Sequence, residues 1–232
     1  MENRFSRTQL LLGVEKLNTL KNSTVALFGC GGVGGYVAEA LARSGVGAIH
    51  LIDNDTISLT NINRQIIALS STVGRLKVEV LKERILDINP DCVVTVHNLF
   101  ILPENIDSLP FNGFDYVVDA IDTVTAKIAL VCKCKQAGVP IISCMGTGNK
   151  LNPTLMKVAD IYKTSVCPLA KVMRRELKKR GIESLDVCYS EEEPLSCVAD
   201  SENGRHAPGS NAFVPAVAGF VIASHVIKNL GK

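Results

Sequence analysis

The sequence is poor in the features that would send it out of a cell or into a membrane. No apolar core follows Met1-Glu-Asn-Arg-Phe-Ser-Arg7, so no secretory signal is expected and the cytoplasm is the expected location. The longest apolar stretch, Phe213 to Leu230, is broken by Pro215, Ser224, His225 and Lys228, so a buried helix is expected there and no membrane contact. Charge of one sign is also lacking. With 25 Lys and Arg against 23 Asp and Glu, the net charge of +2 does not make the whole chain a polyanion binder, and any nucleic-acid contact has to be a local patch. The eight cysteines include no C-x-x-C pair, and Cys132-Lys-Cys134 is too closely spaced, so no structural zinc is expected. Most of them lie in apolar strand or helix patterns, where a reduced thiol behaves as a small hydrophobe.

What is present centres on residues 24 to 35. The apolar run Val25 to Phe28 reads as a buried strand; the glycines Gly29-x-Gly31-x-x-Gly34 follow, and a helical pattern begins at once. Strand, glycine turn and helix start make a phosphate-binding unit, because glycine permits close backbone approach and helix-start amides favour an anion. A second strand, Ala48 to Ile52, ends at Asp53, roughly 20 residues on, the distance at which a carboxylate meets ribose hydroxyls. Asp53-Asn54-Asp55 is equally the chemistry of a turn.

The polar stretch Ser58 to Gln65, which contains Asn61 and Arg64, reads as a loop returning to the nucleotide edge of the sheet. Lys77 opens the next helix, where a cation opposes the helix dipole; it is either an exposed lysine or the neighbour of an anion. Asp115 to Ala120 is nearly all apolar, as in a parallel sheet covered on both faces, and Asp119-Ala-Ile-Asp122 stands at its carboxyl end. Asp122 is thus a candidate for holding Mg²⁺ or orienting a substrate. Alternating strands and helices predict an α/β fold, a doubly wound, Rossmann-like, mainly parallel sheet with a mixed C-terminal extension.

The last third changes character. A helix opened by Pro168 carries Lys171, Arg174, Arg175, Lys178, Lys179 and Arg180, with Leu169, Val172, Met173 and Leu177 on one face. It is either a solvated charged face or a footprint for a phosphate backbone. Ser190 to Asn211 reads as a long mobile loop, a candidate lid, and the helix from Val214 to Leu230 as deeply buried or part of a dimer interface. Residues 8 to 20 carry an irregular helical stripe.

Arg4-Phe-Ser-Arg7, the glycine loop, Asp53 through Asn61 to Arg64-Gln65, Gly74-x-x-Lys77 and Asp119-x-x-Asp122, in that order, resemble the ThiF/MoeB/ubiquitin-activating superfamily. Its members adenylate a carboxylate with ATP. Gly146-Thr-Gly-Asn-Lys, Asp160-Ile-Tyr-Lys-Thr, Cys167-Pro-Leu-Ala-Lys-Val-Met-Arg-Arg and Phe213-Val-Pro resemble the branch that dehydrates threonylcarbamoyladenosine in tRNA beside the anticodon. The resemblance implies ATP and Mg²⁺ as cofactors and a modified tRNA as substrate. Gly29, Gly31 and Gly34 would form the phosphate turn, Asp53 would bind ribose, Asn61, Arg64 and Lys77 the triphosphate, and Asp122 Mg²⁺. Arg7 would reach into a partner subunit's site, which implies a homodimer. Arg7, Arg64, Lys77 and Asp122 would then be the catalytic set, and Lys171, Arg174, Arg175, Lys178 and Lys179 the tRNA contacts. Residues 1–150 would form the nucleotide half and 151–232 the substrate and dimer half of one domain.

Three other readings compete. One is activation of the C-terminus of a ubiquitin-like sulfur carrier, against which the absent zinc cysteines and the basic helix count. Another is an idle nucleotide-binding scaffold serving a sulfur-transfer partner of the cysteine desulfurase type. The third is an NAD oxidoreductase, which leaves Asn61-x-x-Arg64-Gln65 and Arg7 without a role. Cys167 and Cys197 are weak candidates for nucleophiles, since no activating base lies near either in sequence.

Overall fold

Short apolar runs become strands, and the amphipathic segments between them cover both faces of one sheet. The computed structural model describes residues 3–196 and 208–231. Its strands are β1 (Thr24–Phe28), β2 (Ala48–Ile52), β3 (Val93–His97), β4 (Tyr116–Asp119), β5 (Ile141–Cys144), β6 (Met156–Asp160) and β7 (Asp186–Ser190). They lie in the order β3-β2-β1-β4-β5-β7-β6. Every pairing is parallel except β6 with β7, the mixed extension expected from the sequence. The chain leaves β1 toward β2 on one side and returns to β4 on the other. That reversal opens a crevice at the carboxyl ends of β1 and β4.

The helices are α1 (Ser6–Leu12), α2 (Val14–Lys21), α3 (Gly34–Ser44), α4 (Lys77–Ile88), α5 (Val124–Ala137), α6 (Pro168–Lys178) and α7 (Val214–Asn229). Successive side chains of β1 point to opposite faces of the sheet. Val25 and Leu27 join α3, α4 and α7 in one core, with Leu41, Leu81 and Ile222. Ala26 and Phe28 join α5 and α6 in the other, with Leu130, Met173 and Leu177. Two covered faces explain why β1 and β4 carry apolar residues continuously instead of alternating.

Three local expectations change. The stripe over residues 8 to 20 is two helices split at Gly13, whose φ of 83° ends α1, and Leu10 and Leu11 are 87% and 84% exposed. On α6, Met173 and Leu177 are buried, but Val172 faces outward. α7 is buried along Val214, Ala218, Ile222 and Val226, yet leaves Phe220 half exposed. Gly219 allows that packing, because a Cβ there would come within 2.6 Å of the Val33 carbonyl oxygen. The middle of the expected loop, including Cys197, lies outside the described residues. On either side of it, Leu195 donates to the Asn149 carbonyl (2.8 Å) and Gly209 to the Asn149 side chain (2.6 Å).

Candidate active site

The glycine turn is built by contacts that no side chain would allow. Gly29 has a φ of 91°, donates to the Ile52 carbonyl (2.8 Å), and a Cβ on it would lie 2.6 Å from the Ala120 oxygen. A Cβ on Gly34 would lie 1.8 Å from the Gly29 oxygen, so the start of α3 sits directly on the end of β1. Gly31 differs: its hypothetical Cβ meets nothing closer than Gln65 Nε2 at 3.6 Å, which leaves an opening above the helix start. The amides of Gly31, Gly32, Val33 and Gly34 find no acceptor among the described residues. Unsatisfied amides at a helix start form an anion site.

Asp53 braces this turn. One carboxylate oxygen accepts from the Cys30 amide (2.7 Å) and the other from the Asp55 amide (2.8 Å), so the turn chemistry read from Asp53-Asn54-Asp55 is realised at the edge of the loop. Burial first, and then the Asp53 carboxylate, hold the Cys30 thiol well above its ordinary range, so Cys30 is not a thiolate. Lys77, expected either exposed or beside an anion, is buried, and its Nζ lies 2.6 Å from an Asp55 carboxylate oxygen. The anion is therefore Asp55, in the same turn as Asp53.

The polar stretch returns to the glycine loop as expected. A short 3-10 turn, Leu59–Asn61, is closed by the buried Asn61 side chain, which accepts from the Ser58 amide (3.1 Å). The Arg64 stem lies on Gly32, with Cγ and Cδ at 3.5 and 3.7 Å from where a Cβ would be. Its guanidinium donates to the Thr60 carbonyl (3.1 Å) and the Asn63 side chain (2.9 Å). Beside it Gln65 is buried under Gly31, its Oε1 without a partner among the described residues. Sequence reasoning gave Gln65 no role; its place next to Arg64 was the available signal.

Asp122 is exposed in the turn after β4, its nearest bonded group the Thr123 hydroxyl at 3.4 Å. Arg7 is exposed on α1 and forms no hydrogen bond or ion pair among the described residues, so no such contact ties it to the glycine loop within the single chain. The described residues hold no group of three or more His, Cys, Asp and Glu that could close around a metal ion. Cys167 is buried at the start of α6. Asp119, read from sequence only as the first residue of Asp119-x-x-Asp122, is fully buried beneath the turn that carries Asp122 together with Lys127 and Ser143, which sequence reasoning missed; Lys127 lies 2.9 Å from Asp119.

The basic helix divides in two. Arg174 is turned inward and donates to the Thr164 carbonyl (3.0 Å) and the Thr164 hydroxyl, which fastens α6 to the preceding loop. Glu176 gathers Lys179 (3.0 Å), Arg180 (3.1 Å) and Arg175 (3.2 Å), and these cations hold its carboxyl down at about 2, Lys179 most strongly. Lys171 and Lys178 stand exposed with no ion pair among the described residues. An open groove of about 540 Å³ runs between α5 and α6, lined by Val124, Thr125, Ile128, Val172, Arg175 and Arg180.

The ThiF family profile matches residues 5–232. The tRNA threonylcarbamoyladenosine dehydratase of Bacillus subtilis is 46% identical over 244 residues, spanning 100% of this chain and 96% of that protein. The crystal structure of the E. coli tRNA N6-threonylcarbamoyladenosine dehydratase in complex with ATP superposes with a TM-score of 0.89 at 39% identity, covering 98% of this chain and 93% of that one. The adenylyltransferase and sulfurtransferase MOCS3 of Drosophila yakuba, 34% identical, matches over only 60% of this chain and 31% of its own length. With a profile matched almost from end to end around an intact glycine site, this chain belongs to the ThiF family.

Proposed function

We propose that this chain is an ATP-dependent dehydratase of modified tRNA. It adenylates the threonyl carboxylate of threonylcarbamoyladenosine beside the anticodon and closes it into a ring. The observation that carries the reading is the meeting at one glycine turn of Asp53, Arg64 and the Lys77–Asp55 pair, in a chain that matches a dehydratase along its whole length.

The chemistry balances. The carboxylate oxygen attacks the α-phosphorus of ATP and expels pyrophosphate; ring closure then displaces AMP, which carries away the oxygen formally lost as water. A carboxylate approaching a triphosphate meets like charge, so catalysis rests on positioning and on fixed positive groups, with no side-chain nucleophile required. Gly31 to Gly34 would cradle phosphate oxygens with their amides. Arg64, poised over Gly32, and Lys77 would offset charge on the triphosphate, with Asn61 beside them. Asp53 would turn an oxygen to the ribose. The exposed Asp122 carboxylate would hold Mg²⁺, which would supply positive charge to offset that of the phosphates; a lone exposed carboxylate suits a cation that relies little on protein ligands.

The exposed cations of α6 and its C-cap, Lys171, Arg175, Lys178 and Lys179, would meet the tRNA backbone, while Arg174 supports them by holding the helix. The reading includes a homodimer in the cytoplasm. Arg7 would serve the partner's site, and exposed Leu10, Leu11 and Phe220 supply apolar surface for the contact. No described feature argues for a sulfur-transfer partner. The test is mass spectrometry of tRNA nucleosides after incubation with the protein and ATP. Each threonylcarbamoyladenosine should lose one water as AMP and pyrophosphate appear, and unchanged nucleosides on authenticated tRNA would overturn the proposal.

A further inference from the structure

Lys127 lies in the first turn of α5, where a cation opposes the helix dipole, and it is fully buried. Its ammonium group has three protons and three acceptors: the Cys144 carbonyl (2.8 Å), an Asp119 carboxylate oxygen (2.9 Å) and the Ile121 carbonyl (3.0 Å). Asp119, fully buried at the end of β4, also accepts from the Ser143 hydroxyl on β5 and, through its other oxygen, from the Ile121 amide (3.3 Å). The network is saturated and its two charges cancel.

Stability does not explain such a group. A buried ion pair is often no more stabilising than apolar side chains of the same volume, although removing one partner alone is costly. Its place is more telling. It spans the carboxyl ends of two neighbouring strands, the edge on which open α/β sheets hold ligands. It grips the loops leaving both ends, at Ile121 after β4 and at Cys144 after β5. The first of these loops carries Asp122 and forms the wall of the glycine turn: Ala120 donates to the Phe28 carbonyl (2.8 Å), and Gly29 has room for no Cβ against the Ala120 oxygen.

We propose that Lys127, Asp119 and Ser143 form a clamp that fixes the Ala120–Asp122 turn against the glycine loop and so places Asp122 for adenylyl transfer. Lys127 touches no substrate; it is a positioning residue. The inference rests on the reading of this site as an ATP-dependent adenylating centre.

Two variants test it. Lys127→Met removes the ammonium and leaves Asp119 buried without its partner, whereas Asp119→Asn with Lys127→Met removes both charges. Lys127→Met should lower Tm and reduce kcat about a hundredfold, the effect of misplacing a catalytic group by about 1 Å. The double variant should recover Tm toward that of the parent and bind ATP within about threefold of it, while kcat stays depressed. A purely structural pair would behave otherwise: kcat would return with Tm in the double variant, and that result overturns the proposal. So does a Lys127→Met enzyme with parental kcat. If Lys127→Met fails to fold, the double variant decides alone. A parent enzyme that leaves modified tRNA unchanged overturns the underlying reading, and this one with it, before any variant is compared.

Discussion

Replacing Gly34 by alanine separates what the glycine turn does for folding from what it does for ligand. The added Cβ would lie 1.8 Å from the Gly29 carbonyl oxygen, whereas ordinary contact begins at 3.4 Å, so backbone must move by about 1.6 Å. No flexible side chain can absorb this, because the clashing atom belongs to the backbone of the turn. Overpacking of this kind costs about 1–3 kcal/mol. In a chain of this size that lowers Tm by roughly 2–12 °C. The same shift carries the amides of Gly31 to Gly34 away from any bound phosphate, so ATP binding should fall below detection. Gly31→Ala is the matched control. Its Cβ meets nothing nearer than 3.6 Å, so Tm should hold within about 1 °C. If phosphate occupies the opening above Gly31, the methyl group should still weaken ATP binding at least about tenfold. Thermal unfolding and isothermal titration with ATP read both quantities. A Gly34→Ala protein with parental Tm and affinity would refute the packing argument, and a Gly31→Ala protein that binds ATP normally would refute the placement of phosphate.

Other outcomes follow from the same geometry. Arg64→Ala should abolish turnover while Tm changes by less than about 2 °C, since among the described residues the guanidinium holds only the exposed Thr60 and Asn63 groups; differential scanning fluorimetry beside the nucleoside assay checks it. Glu176→Gln frees Arg175, Lys179 and Arg180 from their shared carboxylate, so tRNA affinity should rise with a steeper dependence on salt, measured by filter binding across a KCl series. The rings of His50 and His97 stack, with Nδ1 and Nε2 3.0 Å apart, and burial lowers the pKa of both, with His97 adding to the effect on His50. A lowered folded pKa means stability that is present above the unfolded value of 6.5 and lost as pH falls below it, so Tm should drop in that window, and less so in His97→Phe.

The elements legible in sequence are those with a short-range cause. The strand-to-helix turn at Gly29 to Gly34 declares itself because two of its glycines answer to local causes: the Gly29 carbonyl, five residues back, excludes any side chain at Gly34, and Gly29 itself holds a φ of 91°. The continuous apolar runs of β1 and β4 announce a sheet covered on both sides. Asp53 was ambiguous between ribose and turn because both roles need the same residue at a strand end, and the structure shows the turn contacts. Lys77 was ambiguous because its partner Asp55 is 22 residues away, set there by a loop that no periodicity describes. Lys127 stayed hidden for a related reason. Lysines are rarely buried, so one within a helical pattern reads as surface. Only the fold brings Asp119 and the Cys144 carbonyl around it. Arg174 likewise reads as one more cation in a basic run until Thr164 is seen beneath it.

The measurement closest to the central claim follows an atom. Threonylcarbamoyladenosine labelled with oxygen-18 in its carboxylate, presented in tRNA with ATP and the protein, should deliver label to the phosphate of AMP as the ring closes. Label in inorganic phosphate, with ADP as the other product, or no transfer to any phosphate, would contradict activation of the carboxylate by adenylation.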